Sequence, residues 1–310
     1  MRSALLWLLP AVLSLTPLAA HPRHRAPDTA AGAARIHRVE KLSPHAYAIF
    51  GQGGNVGLFL TDRYAILVDD QYENIAAGLV EAIRSVTDKP IRYLVNTHAH
   101  PDHVGANVVM EKQVMAIVAH ANVRRRMVTA QAKLEPAKRG GLPELSFGEA
   151  DAKVRARLDI NLDGAEFHLL HAGPGHTDGD LMLGYPAELI MHMGDLFFNG
   201  LLPYVDTDSG GSFDGLVAQI DQLAAWIPDG VKLIPGHGPI AAKKDLLRYR
   251  DLLKAVQAHA KANPAATPAG LAASFEVKAW PDYKVLEGFV TWETLFAVAS
   301  GKGPGRVVKS

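Results

Sequence analysis

Short apolar runs separated by turn residues dominate the chain from residue 46 onward. Residues 46–50 (AYAIF), 56–60 (VGLFL) and 64–68 (YAILV) are such runs, with Gly51-Gln52-Gly53-Gly54-Asn55 and Thr61-Asp62-Arg63 between them. Runs of this length, punctuated by Gly, Asn and Asp, predict a strand meander. Residues 73–86 follow another rhythm. Ile75, Leu79, Val80 and Ile83 recur at helical spacing, and Lys89-Pro90 stops the pattern. The apolar runs at 91–95, 115–118, 154–160, 166–171, 181–184, 189–193 and 231–234 predict further strands. Helices are expected from Asn122, over 213–226, and through most of the chain after Ala241. Residues 131–151, rich in Pro, Gly and charge, predict no element. A meander followed by alternating strands and helices is the pattern of an α/β protein whose sheets are covered by helices.

The N-terminus departs from this pattern. Met1-Arg2-Ser3 precedes an apolar run at residues 4–15 (ALLWLLPAVLSL), and small residues end at Ala19-Ala20. A basic start, a short apolar segment and small residues predict a secretory signal peptide over 1–20. The run is too short to span a bilayer comfortably, so no stable membrane anchor is expected after cleavage. Residues 21–35, rich in Ala, Pro, Arg and His, predict a flexible linker, and 36–310 the folded domain. The expected location is the periplasm or the outside of the cell.

Composition narrows the chemistry. Thirty-two basic residues balance 32 acidic ones, which removes the electrostatic footprint of a nucleic-acid binder. A small-molecule substrate is the expected partner. The chain has no cysteine, so a metal site here must use His and carboxylate ligands.

One stretch supplies those ligands densely. Residues 96–107 read NTHAHPDHVGAN, with His98, His100, Asp102 and His103 inside six positions. Three histidines and an aspartate at these spacings arise by chance in roughly one chain in six hundred of this composition. In an extended loop His98 and His100 point to one side and can share an ion. Asp102 and His103, in the turn that follows, can reach a second ion. His176, Asp195 and His237 are the obvious remaining ligands, each beside a glycine and just after an expected strand. Imidazole and carboxylate suit Zn²⁺, and two ions need six or seven such ligands at about three or four each. Two adjacent zinc ions lower the pKa of a shared water, giving a hydroxide able to attack a carbonyl or phosphoryl centre.

The pattern His98-x-His100-x-Asp102-His103, followed by His176, Asp195 and His237, resembles the metallo-β-lactamase superfamily over residues 36–260. The resemblance implies a four-layer αββα sandwich with two mixed β-sheets and the metals at one edge. It implies a first zinc on His98, His100 and His176, and a second on Asp102, His103 and His237, with Asp195 bridging. His98, His100, Asp102 and His103 form the implied catalytic cluster. Asp69, in LVDD, matches a carboxylate that orients a ligand imidazole.

Zinc β-lactamases of this layout carry Cys or Ser where this chain has Asp195, which points to the wider hydrolase branch. The expected activity is therefore hydrolysis of an ester, lactone, thioester, amide or phosphodiester by an exported dizinc enzyme. The alternatives are a true zinc β-lactamase and a non-catalytic metal- or partner-binding protein on the same fold.

Other residues carry plainer expectations. His120 should cap or pack, and His192 should be structural. At most one of His168 and His171 should face the core. Arg124-Arg125-Arg126 should form a solvated helix face, with a grip on an anionic substrate as the alternative. Residues 51–55 suit either a flap over the metals or a hairpin turn, and Tyr204 is a candidate pocket wall.

Overall fold

A computed structural model describes residues 36–149 and 155–306. The signal segment, the linker, residues 150–154 and the last four residues lie outside the described residues.

The first sheet begins β1 (Arg38–Lys41), β2 (Ala46–Phe50), β3 (Val56–Leu60) and β4 (Ala65–Val68), all antiparallel neighbours. It continues in parallel through β5 (Ile91–Val95), β6 (Ile117–His120) and β7 (Leu145–Phe147). The second sheet has the order β13-β12-β11-β10-β9-β8. Its strands are β8 (Ala156–Leu162), β9 (Ala165–His171), β10 (Met182–Tyr185), β11 (Ile190–Phe198), β12 (Lys232–His237) and β13 (Ala241–Ala242). Here β11 and β12 are parallel and the remaining pairs antiparallel, so both sheets are mixed.

The sheets face each other across an apolar layer. Phe59 of β3 meets Phe167 of β9 and Tyr185 of β10 edge-on at 6.1 and 6.2 Å, and Phe167 stacks on Tyr185 at 4.5 Å. Val68, Val95, Val118, Leu183 and Ile234 complete this inner core. Helix α1 (Ala76–Val86) covers the outer face of the first sheet through Ala76, Leu79 and Ile83. Of the residues its spacing selected, Leu79 and Ile83 are buried in the helix, Ile75 is buried just before it, and Val80 is partly buried. Helices α5 (Phe213–Trp226), α6 (Lys243–Ala262) and α7 (Trp292–Ala299) cover the second sheet. In α5, Leu216, Ile220 and Leu223 form the buried stripe, and the Ser212 side chain accepts from the Gly215 N–H at its start. This is a four-layer αββα sandwich. The fully buried run of β3 is explained by its place in the first sheet, which is covered on both faces.

Four differences from the sequence pattern matter. β1 and β7 were not expected. Both lie at sheet edges and are largely solvent-facing, so neither shows an apolar run. β11 does not stop before Gly194 but runs to Phe198, with register shifts against β12 on either side of Gly194. β12 likewise extends through His237. Asp195 and His237 therefore sit within strands, not on the loops after them. Among the described residues no helix is long and apolar enough to cross a membrane.

Candidate metal centre

The NTHAHPDHVGAN stretch leaves the end of β5, and its first and last residues hold each other. The Asn96 side-chain amide donates to Asn107 Oδ1 at 3.0 Å, and the Asn107 amide donates to Asn96 Oδ1 at 2.8 Å. Pro101 opens a one-turn helix α2 (Pro101–Val104), its fixed φ suiting that position, and α3 (Asn107–Met110) follows. The turn places Asp102 and His103 one step away from His98 and His100.

Two sets of donor atoms result. His98 Nε2 and His176 Nε2 lie 3.0 and 2.9 Å from His100 Nδ1. Asp195 Oδ2 is 3.8 Å from His98 Nε2 and 3.5 Å from His176 Nε2. Beside them, His103 Nε2 and His237 Nε2 lie 3.6 and 3.3 Å from Asp102 Oδ2. Asp195 Oδ1 is 3.2 Å from His103 Nε2 and 3.4 Å from His237 Nε2. All seven residues singled out in the sequence thus meet at one place. The two oxygens of Asp195 divide between the two sets.

The outward nitrogens settle which atoms face inward. His176 Nδ1 donates to the Tyr204 carbonyl at 2.8 Å, and His103 Nδ1 donates to Asp69 Oδ2 at 2.7 Å. His100 Nε2 donates to Asp206 Oδ2 at 2.8 Å. The Thr97 hydroxyl donates to Asp69 Oδ2 at 2.7 Å, which leaves its oxygen to accept from His98 Nδ1 at 3.0 Å. With those protons spent outward, the inward nitrogens present lone pairs to one another. Bare nitrogens at this separation repel unless a cation lies among them. His103 Nε2 and Asp195 Oδ1 are also buried without a hydrogen-bond partner, although they are close. Buried polar atoms of this kind call for an ion or an ordered water, and a nitrogen–oxygen donor set fits a borderline cation such as zinc.

The electrostatics agree. Burial holds the His98 imidazole well below its ordinary value, with help from His103, and burial drops His176 to about 4. Both rings are neutral near pH 7, the form that binds a cation. Burial would raise Asp195, but His237, His103 and His176 outweigh it and hold the carboxyl well below the usual range. Burial would lower His103 and His237, but Asp195 and neighbouring carboxylates raise His103 well above its ordinary value and His237 to about 9. A cation bound on that side would take the place of those protons.

Asp69 and Tyr204, marked in the sequence, and Thr97 and Asp206, which were not, complete the centre. Asp69 adopts a left-handed backbone, φ 62°, and accepts from the Thr97 N–H as well as its hydroxyl. This one carboxylate therefore orients His103 directly and His98 through Thr97. Asp206 orients His100, and nothing in its local stretch, YVDTDSGG, singles it out from Asp208. Tyr204 stacks on His100 at 5.7 Å and does wall the cavity over the site, together with Tyr72, Phe289 and Leu286.

Residues 51–55 form a tethered hairpin, not a free flap. The Asn55 side chain donates to the carbonyls of Pro235 and Gly238, and its N–H donates to the Gly236 carbonyl at 2.8 Å. A Cβ on Gly54 would stand 2.3 Å from the His103 ring. The hairpin therefore presses directly on the His103 ring.

The plainer expectations also have answers. His120 is buried and caps a helix, accepting from the Asn122 N–H, and stacks on His171 at 4.1 Å. His192 is buried and contacts the Asn55 carbonyl. His171 is buried, while His168 lies against exposed Asp159. The arginine triplet is only partly a solvated face. Arg126 forms a two-pronged pair with Asp178, and Arg124 donates to the Pro143 carbonyl.

Comparison with known proteins decides the family. The pattern for the metallo-β-lactamase superfamily matches residues 49–255. The chain belongs to that superfamily. Over 178 residues it is 28% identical to hydroxyacylglutathione hydrolase GloC of Haemophilus influenzae, covering 57% of this chain and 81% of that protein. A probable metallo-hydrolase of Bacillus subtilis, YqgX, is 26% identical over 63% of this chain and 92% of its own length. The α subunit of a 2,4-dinitroanisole O-demethylase from Nocardioides is 31% identical, but this chain spans only 31% of that subunit's length. Among solved structures, a metallo-β-lactamase from Pontibacter korlensis shares the fold with a TM-score of 0.57 at 19% identity, covering 70% of this chain and 99% of that one. The superfamily and these relatives make the chain a metallo-hydrolase.

Proposed function

We propose that this metallo-hydrolase is a dizinc enzyme that cleaves a carbonyl or phosphoryl substrate, an ester, lactone, thioester, amide or phosphodiester, outside the cytoplasm. The observation that carries the reading is the division of Asp195, with one oxygen toward His98 and His176 and the other toward His103 and His237. His98, His100 and His176 would hold one ion, Asp102, His103 and His237 the other, and Asp195 would bridge. When bound, the ions supply Lewis acidity that activates a water and polarises the attacked oxygen. The protein's own groups do the rest. Asp69, Thr97 and Asp206 fix the ring orientations before substrate arrives. Asp102, partly exposed beside the cavity and held below the usual carboxylate range, though burial opposes it, by His103 and His237, stays ionised to orient or accept a proton from the attacking water. Tyr72, Tyr204 and Phe289 exclude solvent from one side of the substrate.

Elemental analysis and a hydrolysis screen over esters, lactones, thioesters, amides and phosphodiesters test this reading. Metal bound without turnover of any class would contradict it. Export is tested separately, by sequencing the N-terminus of the mature protein, with a start near His21 expected. The β-lactamase alternative draws on a similarity to a type 2 metallo-β-lactamase of Bacillus, 24% identical over 64% of this chain. Asp195 argues against it, and turnover of a chromogenic cephalosporin at about 10 s⁻¹ would restore it.

A further inference from the structure

His100 and Pro101 line two separate cavities, of about 580 and 560 Å³. The first is the one over the metal centre. Its charged lining is mostly acidic, with Asp102, Asp195, Asp206 and Asp208 against Arg306. Arg306 lies 3.6 Å from Asp208, so its charge is already answered. The second cavity runs along α4 (Ala121–Gln131) and has the opposite character. Arg125, Arg126 and Lys133 line it with Thr129 and Gln131, and among the described residues no carboxylate does. Asp178 pairs closely with Arg126 and stands 3.8 Å from Arg125. One aspartate cannot offset three cations, so the lobe keeps a net positive charge. The Arg125 side chain is 56% exposed and free to close on a ligand. Buried Val123 anchors the helix and buried Met127 forms part of the cavity wall, so the cations sit on a fixed support.

We propose that this second lobe is the recognition site for an anionic group of the substrate, a carboxylate or sulfonate gripped by Arg125 and Lys133. The inference rests on the metallo-hydrolase reading for the position of the scissile bond, over Asp102 and Asp195. His100-Pro101 is the partition across which the substrate lies. The favoured substrate class is then an anionic ester, thioester or amide and not a neutral one. The grip is electrostatic and partly solvated, so it weakens with salt.

The test uses the full zinc-loaded chain and two nitroanilides that differ by a carboxymethyl group, N-(4-nitrophenyl)succinamic acid and 4-nitroacetanilide, titrated by calorimetry at low and high salt. Tighter binding of the acid, by about tenfold at low salt, is expected. Arg125→Gln/Lys133→Gln should abolish that preference, and Arg125→Glu/Lys133→Glu should reverse it. Both residues are exposed, so the variants should fold. Equal affinities in the unaltered protein, or a preference that survives in both variants, would overturn the proposal. Turnover of neutral 4-nitrophenyl acetate is followed in parallel and should not change. Loss of the binding preference without any ester turnover would sustain the anion site while refuting the hydrolase reading.

Discussion

Asp69 ties the two candidate donor sets together from outside both of them. It accepts from the His103 ring, the Thr97 hydroxyl and the Thr97 N–H, and so controls one ligand of each set. Asp69→Ala should weaken zinc binding about 10- to 100-fold, read by competition with a chromophoric chelator. Unchanged affinity would show that packing alone orients the two rings. Gly54 supports the centre in a different way, by having no side chain. Gly54→Ala places a methyl 2.3 Å from the His103 ring, which must turn away. The expected result is loss of metal from the His103 side, with the His98 side still loaded. Retention of both ions would mean that the hairpin can yield, despite the tether at Asn55.

At the scale of elements, the ligand-bearing stretch was legible because its chemistry is local. His98, His100, Asp102 and His103 fall within six residues, and Pro101 starts the turn that separates the pairs. The helices and buried strands were legible for a related reason, since burial imposes a period on the sequence. β1 and β7 were not, because an exposed edge strand is held by backbone pairing and needs no apolar pattern. The extension of β11 through Gly194-Asp195 was missed because a glycine beside an aspartate reads as a turn, whereas here it marks an irregular register. Asp206 was invisible for another reason. Its role comes from meeting His100, 106 residues away.

The capping histidine at the start of α4 gives this scale its own prediction. Burial, reinforced by His171, lowers His120 from 6.5 to about 4. Above pH 6.5 the ring is neutral in both folded and unfolded chains. Between there and pH 4 the unfolded chain takes up a proton that the folded one refuses, so stability falls as pH falls. His120→Asn keeps an acceptor for the Asn122 N–H and removes the titration. Denaturant unfolding of variant and parent at pH 7 and 4.5 should show a smaller acid loss in the variant, by about 1–3 kcal/mol. An identical loss would assign the acid sensitivity to other groups.

Over the whole molecule, the two sheets bring together residues that are far apart in sequence. β5 delivers the histidine stretch, β11 delivers Asp195 and β12 delivers His237, so the centre lies where the two sheets meet. The αββα frame is common to the superfamily and does not select a substrate. Selection falls to the cavities beside His100 and Pro101, one walled by aromatic rings and the other by cations. The claim on which the rest depends is a pair of ions bridged by Asp195. The most direct test is the metal content of the purified chain and of Asp195→Ala, by elemental analysis after dialysis against metal-free buffer. The expected result is close to two zinc ions per chain in the parent and no more than one in the variant, with hydrolysis lost. A parent chain carrying almost no metal, or a variant still holding two ions, would contradict it.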